Sequence, residues 1–229
     1  MTGYRRYAIY AAPPPGTLAD FAAAWLGWDA ALGCSVDHPD LPGLPRPVAE
    51  ITATPRRYGF HATLKPPFRL GTGYSRAALE QAVEALAKRL APVTLDRLVI
   101  ARLGGFLALV PQDTFPDVSR LAAKVVIALD PYRAHASAQE LARHRGRGLR
   151  PDLEENLALW GYPYVMEAFR FHFTLTGRLA RSEADIVKAA LAPRLDPLLA
   201  RPFPINALCL FAEDRNRQFH LLSRHPLCG

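Results

Sequence analysis

One supersecondary order, strand–helix–strand–strand, is written twice in this chain, first near residue 59 and again near residue 170. In the first copy Gly59–Lys65 reads as a strand and Ser75–Leu90 as a helix. Ser75 caps that helix, and Leu79, Ala82, Val83, Leu86 and Leu90 line one face at helical spacing. Leu95–Leu103 and Phe106–Val110 follow as strands joined at Gly104–Gly105, a hairpin signal. In the second copy the strand is Ala168–Gly177 and the helix Ser182–Leu195, with Ser182 and Asp185 in a capping-box pattern. Pro204–Ala212 and Gln218–Arg224 close it around the polar turn Asp214–Arg217. The offset is steady: His61 to His172 is 111 residues and Phe106 to Phe219 is 113. That period is too long for a solenoid and reads as a duplicated unit.

The expected class is therefore α+β, as two pseudo-symmetric lobes that each carry an antiparallel sheet flanked by helices, with a central cleft between them. A strand at Arg6–Ala12 and helices at Thr17–Trp28 and 117–129 complete the first half or bridge the two. The reading is one bilobal domain: lobe 1 about 1–130, a connecting segment 131–165, and lobe 2 about 166–229. Residues 37–55 hold five prolines and read as a long loop. The connecting segment offers at most short helices, around 137–143 and 152–159.

With 229 residues, half of them hydrophobic, the chain can bury a core without metal or disulfide staples. Its three cysteines, Cys34, Cys209 and Cys228, are odd in number and far apart, which argues against a disulfide framework or a C-x-x-C site. No window holds ~18 consecutive apolar residues, so no membrane span is expected, and the apolar run Tyr7–Ala12 is too short for a signal peptide. A cytoplasmic, soluble setting is the expectation. The net charge of +7 favours anionic ligands.

Each copy opens on the same chemistry. The first reads Phe60-His61-Ala62-Thr63-Leu64-Lys65, the second Phe171-His172-Phe173-Thr174-Leu175-Thr176. Strand side chains alternate, so His61, Thr63 and Lys65 share one face, and His172, Thr174 and Thr176 share another. Each strand thus offers an imidazole and a hydroxyl ~6.5–7 Å apart on an apolar backing. Seven histidines and ten threonines give about 0.3 His-x-Thr matches by chance. Two matches at equivalent places of a repeat exceed that expectation.

Two His-x-Thr motifs, one per lobe, resemble the signature of the 2H phosphoesterase superfamily, which includes cyclic phosphodiesterases and bacterial 2′-5′ RNA ligase-like proteins. The stretches Arg57–Phe68 and Trp160–Val165 are similar to the branch associated with bacterial phosphonate-utilisation operons. The resemblance covers essentially the whole chain. It departs from symmetry where Lys65 of the first copy faces Thr176 of the second. It implies a metal-independent phosphodiesterase with no cofactor, acting on the cyclic phosphate of a ribose-like sugar or nucleotide. His61 and His172 would be the acid–base pair, and Thr63 and Thr174 would hold the phosphoryl oxygens. If the operon association holds, a phosphorylated ribose cyclic phosphate from carbon–phosphorus cleavage fits.

That chemistry agrees with the residues. Two imidazoles can share the acid and base roles near neutral pH, and hydroxyls can donate to oxygens where charge develops. No metal motif such as H-E-x-x-H is present. Candidate substrate contacts are Lys65, Arg57, Arg145 and Arg147 of the arginine run Arg143–Arg150, and Tyr164 as a stacking ring. The expected partner is a small phosphorylated sugar or nucleotide, with RNA less favoured and no membrane. The alternative is a non-catalytic phosphate- or RNA-binding module, or an RNA 2′-5′ ligase-like protein, using the same cleft. Histidines favour turnover, because binding alone is better served by permanent charges.

Overall fold

The computed structural model describes residues 3–146 and 148–229. Seven strands form one antiparallel sheet: β1 Arg6–Ala11, β2 Ala62–Phe68, β3 Leu98–Leu103, β4 Phe106–Pro111, β5 Phe173–Thr174, β6 Ala207–Glu213 and β7 Phe219–Pro226. Their spatial order is β7-β6-β1-β2-β5-β4-β3. Helices α1 Thr17–Leu26, α2 Arg76–Ala87, α3 Pro116–Leu129 and α6 Arg181–Leu195 cover one face, where their apolar stripes join the strands in a single core. Helices α4 Ala138–Arg145 and α5 Pro151–Trp160 belong to the connection between the copies. The α+β class and the antiparallel sheet flanked by helices are as expected.

The two copies do not keep separate sheets. The motif strands β2 and β5 lie side by side, and each is flanked on its other side by strands that lead to the opposite copy's hairpin. β5 pairs with β4, while β2 pairs with β1, which pairs with β6. The helices follow the exchange: α2 packs on β6 and β7, and α6 on β3 and β4. This arrangement puts both motif strands in the middle of the sheet, held from both edges. Strand alternation cannot reveal it, because either pairing buries the same apolar face.

Local chemistry explains most elements. The Ser75 hydroxyl accepts the Ala78 N–H at 3.1 Å to open α2, whose Leu79 and Val83 are fully buried. At α6 the Glu183 carboxylate accepts the Ala180 N–H at 2.8 Å, two residues earlier than the Ser182–Asp185 pattern suggests. The proline-rich loop contains two short helical turns, Val48–Ile51 and Ala53–Arg56. β2 runs on through Pro66 and Pro67, and β5 is only two residues long. The cysteines Cys34, Cys209 and Cys228 are free. Among the described residues no helix is long and apolar enough to cross a membrane.

Candidate active site

The register of the two central strands assembles the site. Ala62 sits opposite Phe173 in the antiparallel β2–β5 pair. Continuing that register sets His61 opposite Thr174 and Thr63 opposite His172. Neighbours across strands are ~4.5–5.5 Å apart at Cβ and alternate residues along a strand ~6.5–7 Å. The four side chains thus occupy a square on one face. Ala62 and Phe173 point into the core behind it, where the Phe60 and Phe173 rings stack at 4.9 Å between centroids.

Each histidine is oriented by the backbone two residues before it. His61 Nδ1 lies 2.9 Å from the Gly59 carbonyl, and His172 Nδ1 lies 2.8 Å from the Arg170 carbonyl. A carbonyl only accepts, so Nδ1 donates and Nε2 is left as the free nitrogen of each ring. The His61 ring is stacked on Tyr10 at 3.7 Å between centroids, and Phe106 flanks His172 at 5.8 Å. Burial pushes the His61 pKa down to about 4; the Gly59 carbonyl opposes the shift and the charge of His172 adds to it. Burial also lowers the His172 pKa, against the pull of the Arg170 carbonyl. Both rings are therefore neutral at pH 7 until an anion arrives to stabilise an imidazolium. Binding of sulfate, which does not itself titrate in this range, is expected to take up protons between about pH 5 and 6.5. Calorimetry in buffers of different ionisation enthalpy measures this, and zero uptake or proton release contradicts it.

The square opens into a cleft of about 1410 Å³. Among the described residues nine arginines line it, against two acidic residues, Glu140 and Glu167. It therefore suits an anionic ligand. Among the described residues no three His, Cys, Asp or Glu side chains gather closely enough to hold a metal ion.

The other sequence candidates divide. Arg57 and Tyr164 line the cleft, with Tyr164 edge-on to Tyr162 at 5.8 Å. Lys65 does not: it is 1% exposed and its ammonium pairs with Asp130 at 3.1 Å on the helix side of the sheet. The cause is a bulge at Leu64. Tyr10 pairs with Thr63, but the adjacent Ile9 pairs with Lys65, so the extra residue turns the lysine to the other face. Arg145 also fails to reach the cleft; its guanidinium is held at 2.7 Å by Glu154 of α5. Arg147 lies outside the described residues. Arg143 and Arg150 of the same run do line the cleft.

Three lining residues escape a sequence reading. Arg170 precedes His172 by two, so strand alternation alone could have flagged it. Arg178 also lines the cleft, four residues beyond the end of β5, where alternation no longer applies. Tyr10 looks like an ordinary residue of an apolar strand, and only the β1–β2 register sets it beside His61. Its hydroxyl is buried without a hydrogen-bond partner, and burial holds its pKa well above the usual phenol value.

Comparison with known proteins adds four findings. A family model described as a protein of unknown function, DUF1045, matches residues 63–220. A protein of Janthinobacterium sp. (strain Marseille) named ribose 1,5-bisphosphate phosphokinase PhnN is 37% identical over 215 residues, covering 91% of this chain and 48% of that protein. A protein of the same name from Laribacter hongkongensis (strain HLHK9) is 39% identical over 209 residues, with the same shares. The chain thus spans about half the length of the curated relatives it matches. Among solved structures, E. coli LigT complexed with 3′-AMP is similar over 99% of this chain and 100% of that chain, at 16% identity and a TM-score of 0.42.

Proposed function

Since the chain belongs to the DUF1045 family, a family of unknown function, its activity has to be argued from its own residues, and we propose that it is a metal-independent phosphodiesterase of the 2H type. Its substrate in this reading is the cyclic phosphate of a ribose-like sugar or nucleotide. The observation that carries the reading is the square of two imidazoles and two hydroxyls on adjacent strands, with each Nδ1 committed to a backbone carbonyl. The curated relatives carry a phosphorylated ribose in their name, which supports a ribose-like substrate. The resemblance to the phosphonate-operon branch supports a role in phosphonate metabolism.

The chemistry follows from the free nitrogens. One neutral imidazole accepts a proton at Nε2 from water as the water oxygen bonds to phosphorus. The P–O bond to the sugar alkoxide breaks, and the other imidazole, protonated, returns a proton to that oxygen. A phosphate monoester and a free hydroxyl result, and the two rings have exchanged protonation states. The Thr63 and Thr174 hydroxyls donate to the non-bridging oxygens, where negative charge builds.

One ring must be neutral and the other protonated, so kcat/KM is expected to be bell-shaped in pH. Both histidine pKa values are lowered in the free protein. The bell should therefore peak below pH 6.5, and the kcat profile, measured with the anion bound, should peak at higher pH. A kcat/KM maximum at or above pH 7 contradicts the assignment. The direct test is turnover of a panel of cyclic phosphates in excess chelator. Turnover unchanged by chelator supports the reading, a metal requirement refutes it, and tight binding without turnover favours a phosphate-binding module.

A further inference from the structure

The two motif histidines are equivalent in sequence but not in their surroundings. β1 flanks β2 as β4 flanks β5, so the residues that face the motif threonines can be compared directly. Tyr10 of β1 stands opposite Thr63, whereas Ala108 of β4 stands opposite Thr174. A diagonal neighbour across two strands is within reach of an aromatic side chain. The Tyr10 ring makes that reach and lies on the His61 ring, 3.7 Å between centroids and 23° between planes. Ala108 has no ring to offer. The ring that flanks His172 is Phe106, 5.8 Å away and tilted by 48°. The bulge in β2 falls between the Tyr10 and Ile9 pairings, and a bulge re-aims the side chain beside it.

Tyr10 is itself firmly held. It is fully buried, with the Phe211 ring at 4.9 Å and the Phe219 ring at 6.1 Å. Phe219 in turn stacks on Tyr58 at 5.1 Å. Among the described residues the Tyr10 hydroxyl has no hydrogen-bond partner, so what the residue presents is the face of its ring. The bond from His61 Nδ1 to the Gly59 carbonyl fixes one ring atom and leaves the ring free to swing about that bond. A rigid aromatic slab against the face removes that freedom and aims Nε2. Full burial keeps Tyr10 off any ligand, so it acts only through the imidazole.

We propose that Tyr10 is a positioning residue: its ring locks the plane of His61 and so aims the free Nε2 at the reacting phosphate, a constraint that His172 lacks. For its effect on turnover the proposal rests on the phosphodiesterase reading; the locking of the ring does not. Proton transfer depends on placement, and a misplacement of about 1 Å costs up to about 10²-fold in rate.

Two-bond nitrogen–proton correlation spectra of the histidine rings at pH 7 read the locking without any substrate. Wild-type His61 is expected as a single tautomer with its proton on Nδ1, so its two nitrogen shifts are widely split. Tyr10→Leu should collapse that split toward an average, Tyr10→Phe should retain it, and the His172 shifts should move in neither. On a 2′,3′-cyclic nucleotide, Tyr10→Leu is expected to lower kcat by about 10–100-fold while KM changes by less than about 3-fold. Tyr10→Phe should rescue kcat to within about 3-fold of the wild type and, having lost an unpaired buried hydroxyl, should be no less stable. In a His61→Ala background the Tyr10→Leu change should cost nothing further. Tyr10→Met keeps more of the volume and carries the test if Tyr10→Leu unfolds. An averaged His61 tautomer in the wild type, or an unchanged split or full kcat in folded Tyr10→Leu, overturns the proposal. So does an equal loss in the His61→Ala background, or failure of Tyr10→Phe to rescue. A split that Tyr10→Leu abolishes, in a protein that turns over no cyclic phosphate, refutes only the phosphodiesterase reading.

Discussion

His61→Ala and His172→Ala are each expected to lower kcat/KM on a cyclic phosphate by about 10²–10⁴-fold while leaving the protein folded. Neither ring holds the core together: each projects from a central strand into the cleft, and the apolar residues behind it, Phe60, Ala62 and Phe173, stay in place. Because both imidazoles serve one proton-transfer cycle, the double variant should be little worse than either single one. Thr63→Ala and Thr174→Ala remove only a donor to the charged oxygens, so each should cost no more than about 10²–10³-fold. Thermal midpoints and circular dichroism separate loss of chemistry from loss of fold. Full activity in either histidine variant, with an unchanged midpoint, removes the proposed mechanism.

The site was more legible in the sequence than the topology around it. His61, Thr63, His172 and Thr174 could be read because strand alternation forces residues i and i+2 onto one face, whatever the neighbours. The repeat then implied that two such faces meet. What alternation cannot encode is which edge a hairpin joins, and so the exchange of β3–β4 and β6–β7 between copies was invisible. A bulge is equally silent: one extra residue at Leu64 reverses the side that Lys65 faces, and no residue type in Leu64-Lys65-Pro66 announces it. Arg145 illustrates a third limit. Within the run Arg143–Arg150, the partner that removes it from the cleft is Glu154, nine residues on and on the next helix. Charge density in sequence does not tell which arginines are already paired.

The corrected position of Lys65 leads to the largest expected effect on stability. Its ammonium donates to the Val126 carbonyl at 3.2 Å, in the last turn of α3, and to Asp130 at 3.1 Å. Asp130 also accepts two hydrogen bonds from Arg133, at 2.8 and 3.0 Å. Burial would raise the Asp130 pKa, but the bonds from Arg133 and Lys65 outweigh it and the net shift is downward. Asp130→Ala leaves a buried ammonium without its carboxylate and is expected to destabilise the fold by about 3–5 kcal/mol. Lys65→Met removes the buried charge itself, fills similar volume and leaves Asp130 with Arg133, so it should shift stability by less than about 1 kcal/mol. The two variants therefore diverge although they break the same pair. A pH dependence distinguishes them further. Burial brings the Lys65 pKa down to about 8 from 10.5, with Asp130 offsetting part of the shift. Between those values the unfolded chain keeps a proton that the folded one has lost. Stability gains from this group as pH rises through that window, by at most about 1.4 kcal/mol per unit, and the gain vanishes in Lys65→Met. Chemical denaturation of the wild type and Lys65→Met at pH 7, 8 and 9 measures the difference. Equal slopes would show that Lys65 does not titrate as a buried group. Loss of turnover in a fully folded Lys65→Met would return this lysine to the cleft, where alternation without the bulge would put it.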